Sequence, residues 1–241
     1  MKKPEQTRPI RFQKRDGDLL AAIYNHDGVI ARRQLKYLFW PDKSWRAMEK
    51  RLSLLKIHQY IDWPSLDQRK TYPIPEPVVW LGWKGAMYLA GRAGIEMKEP
   101  LKINEYNLRK FERNLRDRGL HWLREPRWIQ LKHDLKVIDI RMWVKASLRS
   151  IDNIFFEEWI NESAFRIQTD YIDFEIKSFK DDFWIKKRRG VCPDAYFTIL
   201  DVERKEKGES YTARFLLEVD MATHSNPSFG IEKAAAGAAY V

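Results

Sequence analysis

Apolar residues recur at helical spacing three times within the first sixty positions. Leu19, Leu20, Ile23 and Tyr24 form one stripe, with Asp18 as a capping residue before it and Asp27-Gly28 as a stop after it. A second short helix is predicted over residues 31–40, with Leu35, Leu38 and Phe39 inward and Pro41-Asp42 closing it. Ser44 caps a third helix that runs to about His58. Its Met48, Leu52 and Leu55 step by three and four residues, which is a single buried face. Arg46, Lys50 and Ser53 fall on the other side, flanked by Arg51. The pattern then changes to short apolar runs at Tyr60-Ile61-Asp62-Trp63 and Pro77-Val78-Val79-Trp80-Leu81, separated by the polar stretch Asp67-Gln68-Arg69-Lys70. These runs predict two strands of a hairpin with a basic tip, made irregular by prolines 64, 73, 75 and 77. A short helix over residues 83–91 closes the segment.

Three helices followed by a ribbon is the order of a winged helix-turn-helix, whose third helix meets the major groove. The candidate DNA contacts are therefore Arg46, Lys50, Arg51 and Ser53 on the third helix, with Arg69 and Lys70 at the hairpin tip. Residues 1–15, polar and basic with two prolines, form an expected arm. The winged module is assigned to 16–95 and a helical basic connector to 96–127. The connector's helix places Leu108, Phe111 and Leu115 on one side and Arg109, Lys110, Arg113, Arg116 and Arg118 around the rest.

The second half, 128–241, reads as a mixed-sheet domain. A long helix is predicted over 131–149. His133, Val137, Ile140, Val144 and Leu148 lie on one face, and Leu135, Ile138 and Met142 beside them, a width that suits packing on a sheet. Residues 153–160, 191–202 and 212–220 are strand candidates. Residues 161–190 are mixed, with Asp181-Asp182 and the basic run 186–189, of which Arg188 and Arg189 are candidate phosphate contacts. The last two strands are predicted to pair as an antiparallel hairpin through Glu206-Lys207-Gly208, with Gly208 at the position that needs positive φ. In that register Lys205 faces Glu209 and Asp194 faces Asp220. Glu218 then projects to the same side, so Asp194, Glu218 and Asp220 converge. A shift of two positions preserves the shared face. Three adjacent carboxylates repel one another unless a cation joins them, and magnesium or manganese is the candidate.

Charge sharpens the division. The net charge of the 241-residue chain is +10, and it is unevenly placed: residues 1–130 carry +12 and residues 131–241 carry −2. A basic half beside a near-neutral one suggests that one part meets a polyanion, duplex DNA above all. With 44% hydrophobic residues there is enough apolar surface for folded cores, and no run approaches a membrane span. The single cysteine, Cys192, excludes an internal disulfide framework and a multi-cysteine zinc site. It is read as a core residue rather than a nucleophile. The five histidines have no metal-ligand spacing. With no apolar stretch behind the basic N-terminus, the expected compartment is the cytoplasm.

Pro193-Asp194-Ala195, followed after a hairpin by Glu218-Val219-Asp220, resembles the core of the PD-(D/E)XK nuclease-like fold. The larger order is a winged helix, His133-Asp134-Leu135 opening a long helix, PDAYF, then FLLEVD. It resembles the replication-relaxation family of plasmids and integrated elements. The resemblance implies an α+β chain that binds DNA in plasmid replication or DNA relaxation, together with replication proteins. It also implies a metal-dependent site at Asp194, Glu218 and Asp220. The family pattern of acid-x-Lys is broken here, because Asp220 stands where lysine should. Lys233, in an expected helix over 230–237, is the candidate to replace it. The expectation is a weakly active or inert nuclease-like domain. A metal-dependent nicking enzyme and an adaptor for a replication partner are the alternatives. The apolar end at residues 238–241 has no stop signal and suggests that the domain continues beyond it.

Overall fold

The first helix, α1 (Lys14–Asn25), is fixed at its start by Asp16, whose carboxylate accepts the Gln13 N–H at 2.6 Å. The helix thus begins several residues before Asp18, and its Leu19, Leu20 and Ile23 are fully buried. The computed structural model describes residues 10–177, 183–221 and 227–240, with side chains in the last stretch from Lys233 onward. Most of the expected arm, the Asp181-Asp182 pair and His224 lie outside the described residues. The architecture is α+β, in two compact units, residues 1–135 and 136–241.

In the first unit, Asp27 (φ 55°) and Gly28 (φ 84°) turn the chain after α1. At Gly28 a Cβ would lie 2.8 Å from Leu123, so both the backbone angle and the space require glycine. The turn delivers β1 (Val29–Ala31), a strand that the helical pattern had concealed. It leads into α2 (Arg32–Phe39), where the Gln34 side chain accepts the Ala31 N–H at 2.9 Å and donates to the Leu135 carbonyl at 3.1 Å. Helix α3 (Trp45–Ile57) starts where Ser44 Oγ accepts the Ala47 N–H, as its sequence predicts, and buries Met48, Leu52 and Leu55.

After a turn at Gln59 (φ 63°), β2 (Ile61–Asp62) and β3 (Val78–Leu81) form the expected hairpin, and β3 pairs antiparallel with both neighbours in the order β1-β3-β2. The connection between the two strands is largely irregular where the prolines lie, at 63–65 and 72–77, and carries one short helix. Ser65 and Gln68 cap each other across a short helix, α4 (Leu66–Thr71), which carries Arg69 and Lys70. Tyr72 follows it and stacks on Trp128, with ring centres 5.0 Å apart.

Helix α5 (Trp83–Arg92) enters against the backbone of the α3–β2 turn. The Gly82 N–H donates to Tyr60 O, the Lys84 N–H to Gln59 O, and a Cβ at Gly85 would sit 2.1 Å from Tyr60 O. Helix α6 (Glu105–Arg116), capped by Asn104, is not a free connector. Its Phe111 and Leu115 are buried in the same core, Phe111 packs edge-on to Trp83 and Trp122, and Trp122 Nε1 donates to Leu81 O at 2.9 Å.

Helix α7 (Leu131–Leu148) begins in the first unit and continues in the second. There β4 (Ile154–Asn161), β7 (Ala195–Asp201) and β8 (Thr212–Leu217) form an antiparallel sheet in the order β4-β7-β8. Between β4 and β7 lie the short helix α8 (Glu162–Ile167) and the hairpin of β5 (Asp170–Lys177) and β6 (Trp184–Val191). That hairpin packs the Phe174 and Ile176 side against α10 (Pro227–Tyr240), through Ala235 and Ala236. The expected single strand over 191–202 is two strands: Val191 ends β6, Cys192-Pro193-Asp194 breaks the run, and β7 starts at Ala195.

The β7–β8 loop is longer than three residues. Asp201 accepts the Arg204 N–H and starts a short helix, α9 (Val202–Glu206), and Gly208 at φ 74° ends it. The ladder accordingly runs from Ala195 against Leu217 to Leu200 against Thr212, two positions from the expected register. Among the described residues no helix is long and apolar enough to cross a membrane.

Candidate functional sites

The exposed face of α3 carries Arg46 and Lys50 four residues apart, with Ser53 half-buried beyond them. Neither cation has a carboxylate or other side-chain partner among the described residues, and the same holds for Arg69 and Lys70 on α4. Two neighbouring cations are occupied. Arg32 pairs with Glu49 at 2.7 Å, and Lys56 pairs with Asp62 at 2.7 Å. Both also lie over the Trp63 ring, at 4.5 and 4.4 Å.

Arg51 is a correction. It was expected beside Arg46 and Lys50, but it donates through two nitrogens to Asp16 and to the Arg11 carbonyl. Its side chain is only 12% exposed and that of Asp16 1%, so Arg51 neutralises a buried carboxylate and is not offered to solvent. The partner lies 35 residues away in sequence, and nothing in the spacing around Arg51 signals it.

In the second unit, extending the β7–β8 ladder by one step puts Asp194 opposite Glu218, not Asp220. The Asp194 N–H donates to Leu217 O at 3.0 Å, and its Oδ2 accepts the Val219 N–H at 2.6 Å. Lys233 reaches this end of the hairpin from α10, with Nζ 2.5 Å from Glu218 Oε2. Asp194, Glu218 and Lys233 are thus brought to one end of the hairpin. The observed register differs by two positions from the predicted one, in which Asp194 faces Asp220. Among the described residues, no group of three or more histidine, cysteine, aspartate or glutamate side chains could hold a metal ion. A magnesium or manganese ion held by three carboxylates therefore does not fit these residues. Asp194 already takes a backbone donor and Glu218 a lysine ammonium.

Arg188 and Arg189 sit within β6 rather than in a loop before the Asp194 strand. Arg188 faces Asp173 across the hairpin, 4.0 Å away, and lies over the Tyr171 ring. Arg189 pairs in register with Ile172. Cys192 is half-buried. Burial first, then the Glu162 carboxylate, pushes its thiol above the ordinary value, consistent with an inert thiol rather than a nucleophile. His133 lies 3.4 Å from Asp134, whose carboxylate is also bound by Arg127 at 2.8 Å, so the histidine belongs to a local ion-pair group.

Comparison with protein-family models, curated proteins and solved structures finds no match for this chain.

Proposed function

We propose that the chain binds duplex DNA through its first unit, as a winged helix does, in the replication or relaxation of a plasmid or mobile element. The observation that carries the reading is the sorting of cations around α3. Arg32, Arg51 and Lys56 are consumed by Glu49, Asp16 and Asp62, while Arg46 and Lys50 stand exposed without side-chain partners among the described residues. The order of helices and of the β1-β3-β2 ribbon supports it, because such a ribbon leaves the third helix free to enter a major groove. Helix α4 then takes the place of the wing tip and brings Arg69 and Lys70 to the phosphate backbone. Ser53 lies one turn beyond Lys50 and supplies a neutral hydrogen-bonding group on the same face.

For the second unit we infer a nuclease-like scaffold that is weakly active or inert. The Asp194, Glu218 and Lys233 arrangement supports kinship in plan, with Lys233 in the role that Asp220 cannot fill. Replication proteins are the expected partners in the cell.

The test is a mobility shift on supercoiled and linear duplex plasmid, run beside a nicking assay with and without magnesium or manganese. Binding that Arg46→Ala/Lys50→Ala weakens, with no metal-dependent nicking, is the expected result. Robust nicking lost in Lys233→Ala would replace the inert scaffold with an enzyme. Absence of any shift would remove the DNA reading.

A further inference from the structure

Helix α6 separates its charges. Phe111 and Leu115 hold its inner side in the core of the first unit, so its outer side is displayed on a fixed support. Its two acids, Glu105 and Glu112, lie on one flank, seven residues apart. Arg124 binds both of them, Glu105 at 2.9 Å and Glu112 at 2.7 Å. Arg109 adds a contact to Glu105 at 2.7 Å. Hydrogen bonds from Arg109 first, and then from Arg124, hold the Glu105 carboxyl below its usual range.

The outward line carries no acid within the helix. Tyr106, Lys110 and Arg113 follow one another at four- and three-residue steps, and Arg116 lies three residues further on. All four are exposed, Tyr106 to 75%. Among the described residues none of the four has a side-chain partner or ring contact, and Asp117, at the C-cap, forms no ion pair with them. The helix dipole accounts for part of this line, because Arg113 and Arg116 stand in the last turn, where positive charge is favoured. It does not account for Lys110 in the middle of the helix, nor for a tyrosine ring left in water in the first turn. Like charges at this spacing repel one another. Each of the four side chains, and the exposed Asn114 next to Arg113, can donate a hydrogen bond of the kind that phosphate oxygens accept.

We propose that the outer face of α6 is a further phosphate-backbone contact for duplex DNA, made by Lys110, Arg113 and Arg116, with Tyr106 donating its hydroxyl to the same strand. The three cations span ~9 Å along the helix axis, too far for one phosphate and suited to successive ones. Contacts of this kind carry no sequence information, so α6 adds affinity without specificity. The proposal takes its ligand from the duplex reading above but uses no residue of α3 or α4.

The test uses the full chain and fluorescent duplexes of about 30 base pairs, roughly three helical turns, in two unrelated sequences. Binding is read by anisotropy over a salt series. Lys110→Gln/Arg113→Gln/Arg116→Gln should reduce the salt slope by about 2–3, at ~0.9 for each lost phosphate contact, and should weaken binding about tenfold or more, equally on both sequences. Lys110→Arg/Arg113→Lys/Arg116→Lys, which keeps the charges, should retain the slope. Tyr106→Phe should weaken binding with the slope unchanged. Melting curves should show every variant folded, because glutamine, lysine and arginine are similar helix formers. A glutamine variant with wild-type slope and affinity would overturn the proposal, as would an equal loss of slope in the variant that keeps the charges. In the first case the duplex reading still stands if Arg46→Gln/Lys50→Gln weakens binding. Wild type that binds neither duplex would overturn both. A loss in the α6 glutamine variant, with binding unchanged in Arg46→Gln/Lys50→Gln, would support the α6 contact and remove the one assigned to α3.

Discussion

Lys50 and Arg51 are neighbours in sequence with opposite surroundings. Lys50 is exposed on α3, while Arg51 turns to the carboxylate of Asp16, which the fold has taken almost wholly out of water. Removing one partner of such a pair leaves an uncompensated buried charge. Arg51→Ala is therefore expected to lower stability by ~3–5 kcal/mol in urea unfolding. Arg46→Ala, on the surface, should stay within ~0.5 kcal/mol of wild type. Helical periodicity finds the buried face of α3 but cannot separate these two cations, because the difference comes from α1.

Gly85 gives a second residue-scale expectation. A methyl group there would sit 2.1 Å from the Tyr60 carbonyl, and that atom is backbone. Gly85→Ala should cost ~1–3 kcal/mol or more by overpacking, read as a shifted denaturation midpoint at unchanged slope. Cys192 should react slowly with thiol reagents at neutral pH. Its thiolate is disfavoured first by burial and then by Glu162, so the rate should rise only above the ordinary thiol range. A fast reaction at neutral pH would contradict the inert assignment.

At the scale of elements, what the sequence reveals depends on where the decisive contact lies. Helices α3, α5, α6 and α7 are legible because their apolar spacing and caps are local: Ser44 and Asn104 each cap the helix that follows them. Strand β1 was concealed because three apolar residues, Val29-Ile30-Ala31, are also the start of a helical pattern, and only pairing with β3 decides between them. The β5–β6 hairpin was concealed by its charge. Asp173 and Glu175 face Arg188 and Lys186 across it, so the polar side reads as a basic run rather than as alternate residues of a strand. Gly208 takes the positive φ that its turn position predicts, yet the ladder lies two positions from the expected register because Asp201 caps α9 and shortens it. That shift brings Glu218 opposite Asp194.

The reach of Lys233 to Glu218 is a contact between elements that spacing alone could suggest but not establish. Both side chains remain partly exposed, 33% and 40%, so solvent screens the pair. A double-mutant cycle of Glu218→Gln and Lys233→Met should give a coupling of ~0.2–1 kcal/mol in unfolding. A larger coupling would mean that the end of the hairpin is more enclosed than the geometry indicates.

For the whole molecule, charge and structure divide the chain in nearly the same place. The excess of +12 over residues 1–130 lies wholly within the unit 1–135, and the connector's basic helix α6 belongs to that unit's core rather than standing apart. Part of that charge is internal, since Arg109 and Arg124 both bind Glu105, and Arg124 also binds Glu112. The net charge alone therefore overstates what a polyanion would meet, and the cations with no side-chain partner among the described residues are the better guide. The proposed duplex contact rests on four of them. Each lysine or arginine that neutralises a phosphate contributes ~0.9 to the slope of log affinity against log salt on duplex DNA. The direct measurement is that slope for the full chain on a duplex, compared with the variant Arg46→Ala/Lys50→Ala/Arg69→Ala/Lys70→Ala after confirming that its melting is unchanged. A slope smaller by about 3–4 in the variant, with weaker binding on every sequence tried, is the expected result. Equal slopes and equal affinities in the two proteins would contradict duplex binding through α3 and α4.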